Sequence, residues 1–426
     1  MLTGIIGGGL AGVSLRYFLE HDCEVLEKEE RPGGLCRTFH ADGFSYDIGG
    51  HILFSKDRAL MDIFKDVLGE NINHCRRNNQ ILYKDRYLKY PFENGLGKLD
   101  REDIYECLIG YLVNDYPEPR NFKEWIYHVF GSGIAEKYLV PYNEKIWKVP
   151  LEEIGLEWVE RVPRPPVEDI VKSALDIETE GYVHQLNFCY PAVGGIEALI
   201  GAFSDEGARV TTGFEVRRID RREGGWVVSD GRDEKFYDKL VLTMPVKEAV
   251  KHLSGVPDQV LDAAAALRYN SVRVVLVGVN NESLMDKSAI YIPDPNVLPH
   301  RICFMGFFSK SMVPDGLSSL IAEVTSPGGV LGYDIPDAEL AKRVVDDLHR
   351  IGIIDKRDVV VVDVKNIEYG YVIDDRYNVK NMTIIRDYFD SIGIILHGRF
   401  AEFEYINMDE VIRRSVEMAS RLDATQ

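Results

Sequence analysis

The chain has 426 residues, 45% of them hydrophobic and 28% charged, and its formal net charge is −19 at pH 7. This length is too great for one hydrophobic core and predicts two or three subdomains. The acidic balance argues against a nucleic-acid or anionic-membrane partner, because both are bound through clustered Lys and Arg. An anionic ligand must then be held by local arginines acting against the overall field.

The six cysteines are widely spaced and include no Cys-x-x-Cys pair. This spacing favours reduced thiols over a disulfide framework or a metal site. No apolar run reaches about 18 residues, so we expect no membrane span. The N-terminal apolar segment lacks the basic start of a secretion signal and is broken by glycines, which favours a cytoplasmic protein.

The chain begins with an apolar strand and a glycine-rich turn, in which Gly7, Gly9 and Gly12 have the spacing of a dinucleotide-binding motif. In such a motif the first glycine forms the tight turn and the second lets the backbone approach a pyrophosphate. The third allows the strand and helix to pack closely. The helix predicted from about Leu10 to Glu20 directs its N-terminal amides at that diphosphate.

The next elements indicate which dinucleotide the motif binds. A strand over residues 23–26 leads to Glu27, where a carboxylate accepts hydrogen bonds from a ribose diol and repels a 2′-phosphate. A second glycine pair, Gly33-Gly34, follows, and then the segment Tyr46-Asp47-Ile48-Gly49-Gly50-His51. This ordered series predicts a flavin dinucleotide laid across the first domain.

Later elements alternate between helical and strand patterns. Residues 80–90 resemble a hairpin, and the apolar period from Leu99 to Ala174 is mostly helical, with Asn121 as a helix N-cap. Short strands return after Tyr190, and further β-rich runs between about Ser271 and Val364 predict an antiparallel sheet. A last buried strand begins at Ile394, and a C-terminal helix is predicted from about Met408 to Leu422.

These patterns predict an α/β protein: a discontinuous Rossmann-like FAD-binding domain with a helical insert and an antiparallel-sheet substrate domain. We assign residues 1–95, 190–250 and 388–426 to the FAD-binding domain. The helical substrate insert comprises residues 96–189, and the antiparallel-sheet substrate domain comprises residues 251–387.

The motifs together resemble the flavoprotein superfamily of amine oxidases, protoporphyrinogen oxidases, phytoene desaturases and UDP-galactopyranose mutases. The resemblance covers essentially the whole chain, and several segments favour the mutase branch in its eukaryotic-like form. Those segments are Tyr46–His51, Tyr90-Pro91-Phe92-Glu93-Asn94, Pro141–Pro150, Trp158–Val162, Tyr291-Ile292-Pro293 with Arg301, Gly370-Tyr371, and Gly398-Arg399-Phe400 with Tyr405 and Asn407.

The resemblance implies interconversion of the pyranose and furanose forms of a UDP-sugar, UDP-galactose above all. Non-covalent FAD would be active when reduced, with its N5 as nucleophile at the anomeric carbon. It implies catalytic roles for His51, which orients the flavin edge, and for Arg161 and Arg301, which stabilise the departing diphosphate. NAD(P)H is a compatible reductant, although the sequence contains no second nucleotide motif.

The same resemblance assigns the remaining site residues, and it includes no metal ligand. The predicted substrate-binding residues are Tyr90, Glu93, Asn143, Gln185, Tyr291, Tyr371, Tyr405 and Asn407. The predicted cofactor-binding residues are Gly7, Gly9, Leu10, Ala11, Gly12, Glu27, Lys28, Gly33, Gly34, Leu35, Gly49, Gly50, His51, Val216, Arg399 and Met408.

Three positions depart from the mutase pattern. Glu93 stands where a Gln is common, Gln185 stands roughly where an Asn is expected, and Ala289 replaces a usual Trp. The sugar and the base are therefore less defined by the sequence than the flavin and the diphosphate. The main alternative function is an FAD-dependent oxidase or desaturase, and a non-catalytic flavin-binding protein is a third.

Individual residues also have simpler interpretations. Arg161 fits a surface ion pair, and Arg301 fits a solvated loop charge. Tyr371 and Tyr405 fit aromatic residues of a core, and His51 fits a loop histidine without a role. Their common order and spacing favours the functional interpretation for the set.

Overall fold

The computed structural model describes residues 1–157, 159, 162–180, 186–204, 209–284, 286–329, 335–375 and 377–425. Within these residues the fold class predicted from the sequence is confirmed. A parallel sheet with helices, an antiparallel-rich sheet and a helical region are all present.

The parallel sheet has the strand order β19-β13-β1-β2-β9. Its strands are β1 (Thr3–Ile6), β2 (Cys23–Leu26), β9 (Val210–Thr211), β13 (Lys239–Leu242) and β19 (Ile394–Leu396). All four residues of β1 are buried, as expected for a strand covered on both faces. The segments come from the start, middle and end of the chain, which is the discontinuity that the sequence predicts.

The second large sheet has the order β18-β14-β17-β16-β15-β6-β7 and is antiparallel except between β15 and β6. Its strands are β6 (Asn79–Tyr83), β7 (Arg86–Lys89), β14 (Tyr269–Val279), β15 (Ala289–Tyr291), β16 (Arg301–Phe304), β17 (Ser318–Pro327) and β18 (Val359–Val372). Strand β14 is buried along its whole length and pairs on both sides, so it forms the centre of this domain.

The remaining described strands form three smaller sheets. They are formed by β3 (Thr38–Ala41) with β4 (Phe44–Asp47), by β5 (Asn73–Arg76) with β8 (Asn187–Tyr190), and by β10 (Arg218–Arg222), β11 (Gly225–Ser229) and β12 (Glu234–Tyr237). Strands β9 and β10 are separated by residues 212–217. Between them, the backbone N–H of Phe214 donates to the carbonyl of Glu27.

The helices cover both sheets and form the insert. They are α1 (Leu10–Phe18), α2 (Arg58–Leu68), α3 (Arg101–Leu112), α4 (Phe122–Ile134), α5 (Val140–Trp147), α6 (Val167–Ala174), α7 (Glu197–Ser204), α8 (Val246–His252), α9 (Asp258–Ala266), α10 (Met305–Phe308), α11 (Asp337–Arg350), α12 (Asn378–Ile392) and α13 (Met408–Asp423). The predicted N-cap is present, because the Asn121 side chain accepts a hydrogen bond from the N–H of Glu124 at 2.9 Å.

Two segments lie elsewhere than the sequence-based division of domains places them. Strands β6 and β7 fall within residues 1–95, yet they belong to the seven-stranded sheet, because β6 pairs with β15 from the distant substrate segment. The division between residues 387 and 388 also cuts α12, whose Ile385 and Phe389 share a core with strands of the parallel sheet. Both differences arise from pairing between distant segments, which local patterns do not encode.

Candidate functional site

A cavity of about 880 Å³ lies between the parallel sheet and the seven-stranded sheet. Its wall on the first side includes Gly7 and Thr243, which follow the carboxyl ends of β1 and β13. Its wall on the other side includes Val272, Cys303 and Glu323 from β14, β16 and β17. The crevice beyond the carboxyl ends of parallel strands is where open α/β sheets bind ligands.

One end of the cavity has the geometry of a diphosphate cradle. Gly7 has φ = +118°, and a Cβ on Gly12 would lie 1.9 Å from the Gly7 carbonyl oxygen. Helix α1 begins immediately after this turn without a side-chain cap, so its first N–H groups point toward the cavity. The turn therefore needs glycine at both positions and is built for an anion.

Glu27 borders the same end of the cavity and is held by the turn itself. Its carboxylate accepts hydrogen bonds from the N–H of Gly8 at 2.7 Å and from the N–H of Glu29 at 2.9 Å. The second glycine pair packs on the first, because the N–H of Gly33 donates to the Gly8 carbonyl at 2.8 Å. The residues present thus fit the adenosine diphosphate half of a flavin dinucleotide.

The Gly49-Gly50-His51 segment forms the middle of the cavity wall. Gly49 has φ = +90°, and a Cβ on Gly50 would lie 2.7 Å from the Cys303 sulfur, so this loop lies tightly against β16. Burial, together with the charges of Arg301 and Arg399, lowers the pKa of His51 to about 4. His51 is therefore neutral at pH 7, with its Nδ1 buried and lacking a hydrogen-bond partner.

Arg301 is fixed by a buried carboxylate. Its Nε and Nη2 donate to Glu323 at 2.8 and 2.7 Å, and Nη2 also donates to the hydroxyl of Tyr371 at 3.3 Å. The Tyr371 hydroxyl donates to the same carboxylate at 3.1 Å. Glu323 raises the pKa of Arg301 well above its usual range, in opposition to burial. The guanidinium is thus held permanently charged in one orientation.

Arg399 brings a second cation to the part of the cavity that contains Arg301 and Tyr371. Its Nη2 donates to the Gly370 carbonyl at 3.1 Å, and its Nε is buried without a partner. The guanidinium lies 4.1 Å from the ring centroid of Tyr405 and 5.8 Å from that of Tyr371. Within the described part of the chain it forms no ion pair with a carboxylate, so it leaves a local positive charge for a ligand to neutralise.

Aromatic side chains form the remaining wall. Tyr90 and Tyr291 stack with ring centroids 4.8 Å apart, and the Asn79 amide donates to the Tyr291 hydroxyl at 3.2 Å. Tyr371 and Tyr405 also stack, at 6.0 Å, opposite the indole of Trp147. The tyrosine hydroxyls add neutral hydrogen-bonding groups to a site that already holds two arginines.

The structure brings most of the predicted site residues to this cavity. Gly12 and Gly33 lie directly behind its wall and shape the turn. The predicted residues that line it are Gly7, Gly9, Leu10, Ala11, Glu27, Lys28, Gly34, Leu35, Gly49, Gly50, His51, Tyr90, Val216, Tyr291, Arg301, Tyr371, Arg399, Tyr405, Asn407 and Met408.

Two predicted residues, Glu93 and Asn143, do not line the cavity. Two others, Arg161 and Gln185, lie outside the described residues. Asn143 is buried, and its amide bonds within the helical region, donating to the Leu139 carbonyl and accepting from the Trp147 indole. Glu93 is 2% exposed and lies outside the described cavity lining. The short 3₁₀ turn over Phe92–Asn94 turns its side chain into the helical core, so direct contact of Glu93 with the ligand is not supported.

The buried carboxyl of Glu93 should make the stability of the fold depend on pH. Burial raises its pKa from 4.5 to about 7, and its Oε2 has no hydrogen-bond partner. A raised folded-state pKa means that stability is lost as the pH rises from about 4.5 to 7, by about 3 kcal/mol in total. We expect Glu93→Gln to raise the urea midpoint at pH 8 but not at pH 4.5.

Urea unfolding at the two pH values checks this prediction. Glu223→Gln is the matched control, because Glu223 lies exposed in a surface turn. The urea midpoint of Glu223→Gln should differ from that of the wild type by the same amount at both pH values. A Glu93→Gln effect that is equally large at pH 4.5 and pH 8 would contradict a neutralised buried carboxyl.

The sequence interpretation did not name several charged residues of the lining, and Glu323 and Arg77 are two of them. Glu323 had a detectable signal, because it is a single carboxylate in the otherwise uncharged strand β17. Such a residue in a fully buried strand requires a partner. Arg77 follows β5 in a stretch of polar residues, and nothing local distinguishes it from a solvated cation.

Two further classes of site can be checked on the described residues. No helix among them is long and apolar enough to cross a membrane. They also contain no cluster of three or more His, Cys, Asp or Glu side chains arranged to hold a metal ion.

Comparison with known protein families gives two matches along the chain. The NAD(P)-binding Rossmann-like domain matches residues 5–67, and the flavin containing amine oxidoreductase family matches residues 167–371. A zeta-carotene-forming phytoene desaturase of Myxococcus xanthus is 30% identical over 242 residues, which cover 52% of this chain. The chain thus spans slightly less than half of that relative, 45% of its length.

Two longer matches cover most of the chain. A carotenoid 3,4-desaturase of Haloarcula japonica is 22% identical over 425 residues, covering 84% of this chain and 83% of the desaturase. The crystal structure of a reduced UDP-galactopyranose mutase superposes with a TM-score of 0.90 at 26% identity, covering 100% of this chain and 96% of the mutase.

Proposed function

The chain belongs to the amine oxidase superfamily of flavoproteins, and on that premise we propose that it is a mutase of nucleotide sugars. It interconverts the pyranose and furanose forms of a UDP-sugar, with UDP-galactose as the substrate and non-covalent FAD as the cofactor. The observation that carries this proposal is the grouping of Arg301 and Arg399 with His51 and two stacked tyrosine pairs.

The chemistry is divided between cofactor and chain. Reduced FAD, when bound, supplies a nucleophilic nitrogen for the anomeric carbon of the sugar. The chain supplies the leaving-group site. Glu323 engages Nε and Nη2 of Arg301, so Nη1 would be the atom that donates to a phosphate oxygen. Arg399 adds a second charge, so a diphosphate carrying about two negative charges would be matched by two guanidinium groups.

His51 has a different role from the arginines. Its imidazole is neutral at pH 7, so it adds no charge to the diphosphate site. Its place in the Gly49-Gly50-His51 loop, packed on Cys303, suits it to orient the flavin edge. A bound cofactor or ligand would supply the hydrogen-bond partner that the buried Nδ1 lacks.

An amine oxidase is the main alternative, and the tyrosine pair supplies the test of it. Two parallel rings such as Tyr371 and Tyr405 form the kind of surface that holds a substrate ammonium. Here the Arg399 guanidinium already lies 4.1 Å from the Tyr405 ring centroid. An amine substrate would meet a like charge there, whereas an anionic leaving group would be stabilised.

A desaturase acting on an apolar chain fits the cavity less well. Such a substrate would bury the guanidinium groups of Arg301 and Arg399 without offering either of them a hydrogen bond, and the buried Nε of Arg399 would stay without a partner. Leaving buried charged groups unsatisfied costs more than burying apolar surface returns at the same contact. The polar lining therefore favours an anionic ligand over a hydrocarbon.

The proposed activity is tested by incubating the dithionite-reduced protein with UDP-galactofuranose and separating the products by chromatography. We expect conversion to UDP-galactopyranose and no conversion by the oxidised protein. The same assay with NADPH in place of dithionite tests the reductant that the resemblance implies. Absence of both conversion and UDP binding by the reduced protein would falsify the mutase proposal.

A further inference from the structure

Lys145 is a buried lysine outside the cavity, on α5 in the helical insert. Lys145 is 8% exposed, yet among the residues that the structure describes its ammonium forms no ion pair with a carboxylate. Instead it donates to three backbone carbonyls, those of Ile292 at 2.8 Å, Asp294 at 2.9 Å and Pro299 at 2.8 Å. A buried ammonium is costly, so this arrangement calls for a structural reason.

The three carbonyls belong to one loop, which joins β15 to β16. The loop closes where the N–H of Ile292 donates to the His300 carbonyl at 2.9 Å. Lys145 thus bonds to both arms of the loop and lies between them. The first paired rung beyond the loop consists of Tyr291 and Arg301, which face each other across the two strands.

That rung is part of the ligand site. Tyr291 and Arg301 both line the cavity, and they are the residues immediately before and after the loop that Lys145 holds. A shift of either arm of the loop would therefore move one or both side chains relative to the cavity. Misplacement of a binding group by about 1 Å is enough to weaken its function by orders of magnitude.

The backbone of α5 is itself tied to the centre of the seven-stranded sheet. The Asn270 amide on β14 donates to the carbonyls of Ile146 and Trp147, at 2.7 and 2.8 Å. The Thr325 hydroxyl on β17 donates to the carbonyl of Lys145 at 2.8 Å. The ammonium therefore connects two central strands, through α5, to the loop at the cavity.

From this connection we infer that Lys145 is a positioning residue for the ligand site: it fixes the Tyr291–Arg301 rung by bonding both arms of the β15–β16 loop. Glu323 orients the guanidinium of Arg301, and Lys145 sets the backbone from which that side chain extends. The inference rests on the proposed function only for its ligand, UDP.

The surroundings of the ammonium are consistent with a structural charge. Burial and the charge of Lys148 lower the pKa of Lys145, Asp294 and Asp347 raise it, and the resulting pKa is about 7. The three carbonyl oxygens also favour the charged form, because each accepts one of the three N–H donors. An apolar side chain of the same length would fill the space without holding the loop.

Lys247 provides a matched control elsewhere in the fold. Its ammonium also donates to three backbone carbonyls, those of Ala264, Ala265 and Leu267, at 2.7 to 2.8 Å. These carbonyls belong to the end of α9 and not to the β15–β16 loop. Lys247→Met therefore removes three hydrogen bonds of the same kind without affecting the loop between Tyr291 and Arg301.

The test is a double-mutant cycle on UDP binding to the reduced, flavin-loaded protein. We expect Lys145→Met to raise the UDP Kd about tenfold. Lys247→Met should leave the Kd within about twofold, because residues that share no partner with the site act independently of it. In an Arg301→Lys background, Lys145→Met should add less than about threefold, because the rung it positions is already altered. If Lys145→Met does not fold, Lys145→Gln is measured in its place.

An unchanged Kd in Lys145→Met, or an equal effect in both Arg301 backgrounds, overturns the inference. If the wild-type protein does not bind UDP, the proposed function fails and hydrogen exchange decides on Lys145 instead. Lys145→Met should then speed amide exchange in residues 289–304, whereas Lys247→Met should not. Equal exchange in that segment for wild type and Lys145→Met also overturns the inference.

Discussion

Replacing Arg301 by Ala is expected to abolish detectable UDP binding while the flavin stays bound. Arg301 lines the cavity beside the Gly49-Gly50-His51 loop and carries a charge that Glu323 holds in place. Removing one partner of a buried, hydrogen-bonded charge pair at a ligand site costs about 2–5 kcal/mol of binding free energy. Titration calorimetry with UDP measures the loss, and flavin absorbance after gel filtration reports the retained cofactor.

The stability of the variant must be separated from its binding. Arg301→Ala leaves the Glu323 carboxylate, which is 1% exposed, without its cation. Breaking such a pair from one side typically destabilises a fold by about 3–5 kcal/mol. The double variant Arg301→Ala with Glu323→Gln removes the unpaired charge, so it should regain thermal stability but not UDP binding.

A second arginine provides the control for a general loss of positive charge. Arg268 pairs with Asp375 and Glu153 at 2.7 and 2.6 Å, outside the cavity. Arg268→Ala should lower the melting temperature and leave the UDP Kd unchanged. UDP binding by the folded Arg301→Ala/Glu323→Gln protein at wild-type affinity would remove Arg301 from the ligand site.

The features of this protein that could be predicted from the sequence are those that depend on neighbouring residues. Gly7 and Gly12 are needed because their backbones nearly touch within one turn, and this requirement appears directly as a spacing of glycines. The cap at Asn121 is likewise local, and so is the hydrogen bond from the N–H of Glu29 to the Glu27 carboxylate. Elements of this kind are recognisable in a single chain because their partners lie a few residues away.

The features that could not be predicted depend on strand register. Arg301 is paired across β16 and β17 with Glu323, so the two side chains meet because of one register out of several. A shift of one residue would turn either side chain to the opposite face of the sheet. The sequence presents Arg301 as a cation after a loop and Glu323 as a carboxylate in an apolar strand, with nothing to join them.

Glu93 and Asn143 show a different reason for failure. Both belong to segments that resemble a ligand-binding pattern. Both segments lie near the cavity, since Tyr90 lines it and Trp147 packs against the lining residue Tyr371. Their side chains nevertheless turn away, one within a 3₁₀ turn and the other into its own helix. A motif predicts where a segment lies more reliably than where each of its side chains points.

The opening glycine turn gives the second large prediction, that Gly12→Ala will yield protein without flavin. A Cβ at this position would lie 1.9 Å from the carbonyl oxygen of Gly7 and 3.2 Å from the Thr243 hydroxyl. Helix α1 must then move away from β1, and the amides that face the diphosphate move with it. Overpacking of this kind costs about 1–3 kcal/mol in stability, and the displaced amides reduce cofactor affinity further.

The ratio of flavin to protein after purification, together with the melting temperature, measures this effect. Gly201→Ala is the matched control, because a Cβ on Gly201 in α7 would meet nothing within 4 Å. An alanine there should stabilise the helix by about 0.5–1 kcal/mol and leave the flavin content unchanged. A Gly12→Ala protein with full flavin content would show that the turn tolerates a side chain.

These two substitutions act on different halves of the same cavity, and their outcomes are logically separate. Gly12→Ala should remove the cofactor and, with it, any flavin-dependent activity, whatever the second ligand is. Arg301→Ala should spare the cofactor and remove only the ligand that brings a diphosphate to Arg301 and Arg399. If Gly12→Ala loses flavin while Arg301→Ala keeps an oxidase activity that does not depend on UDP, the protein belongs with the oxidoreductases. Loss of UDP binding with intact flavin would instead place the leaving-group site at the two arginines.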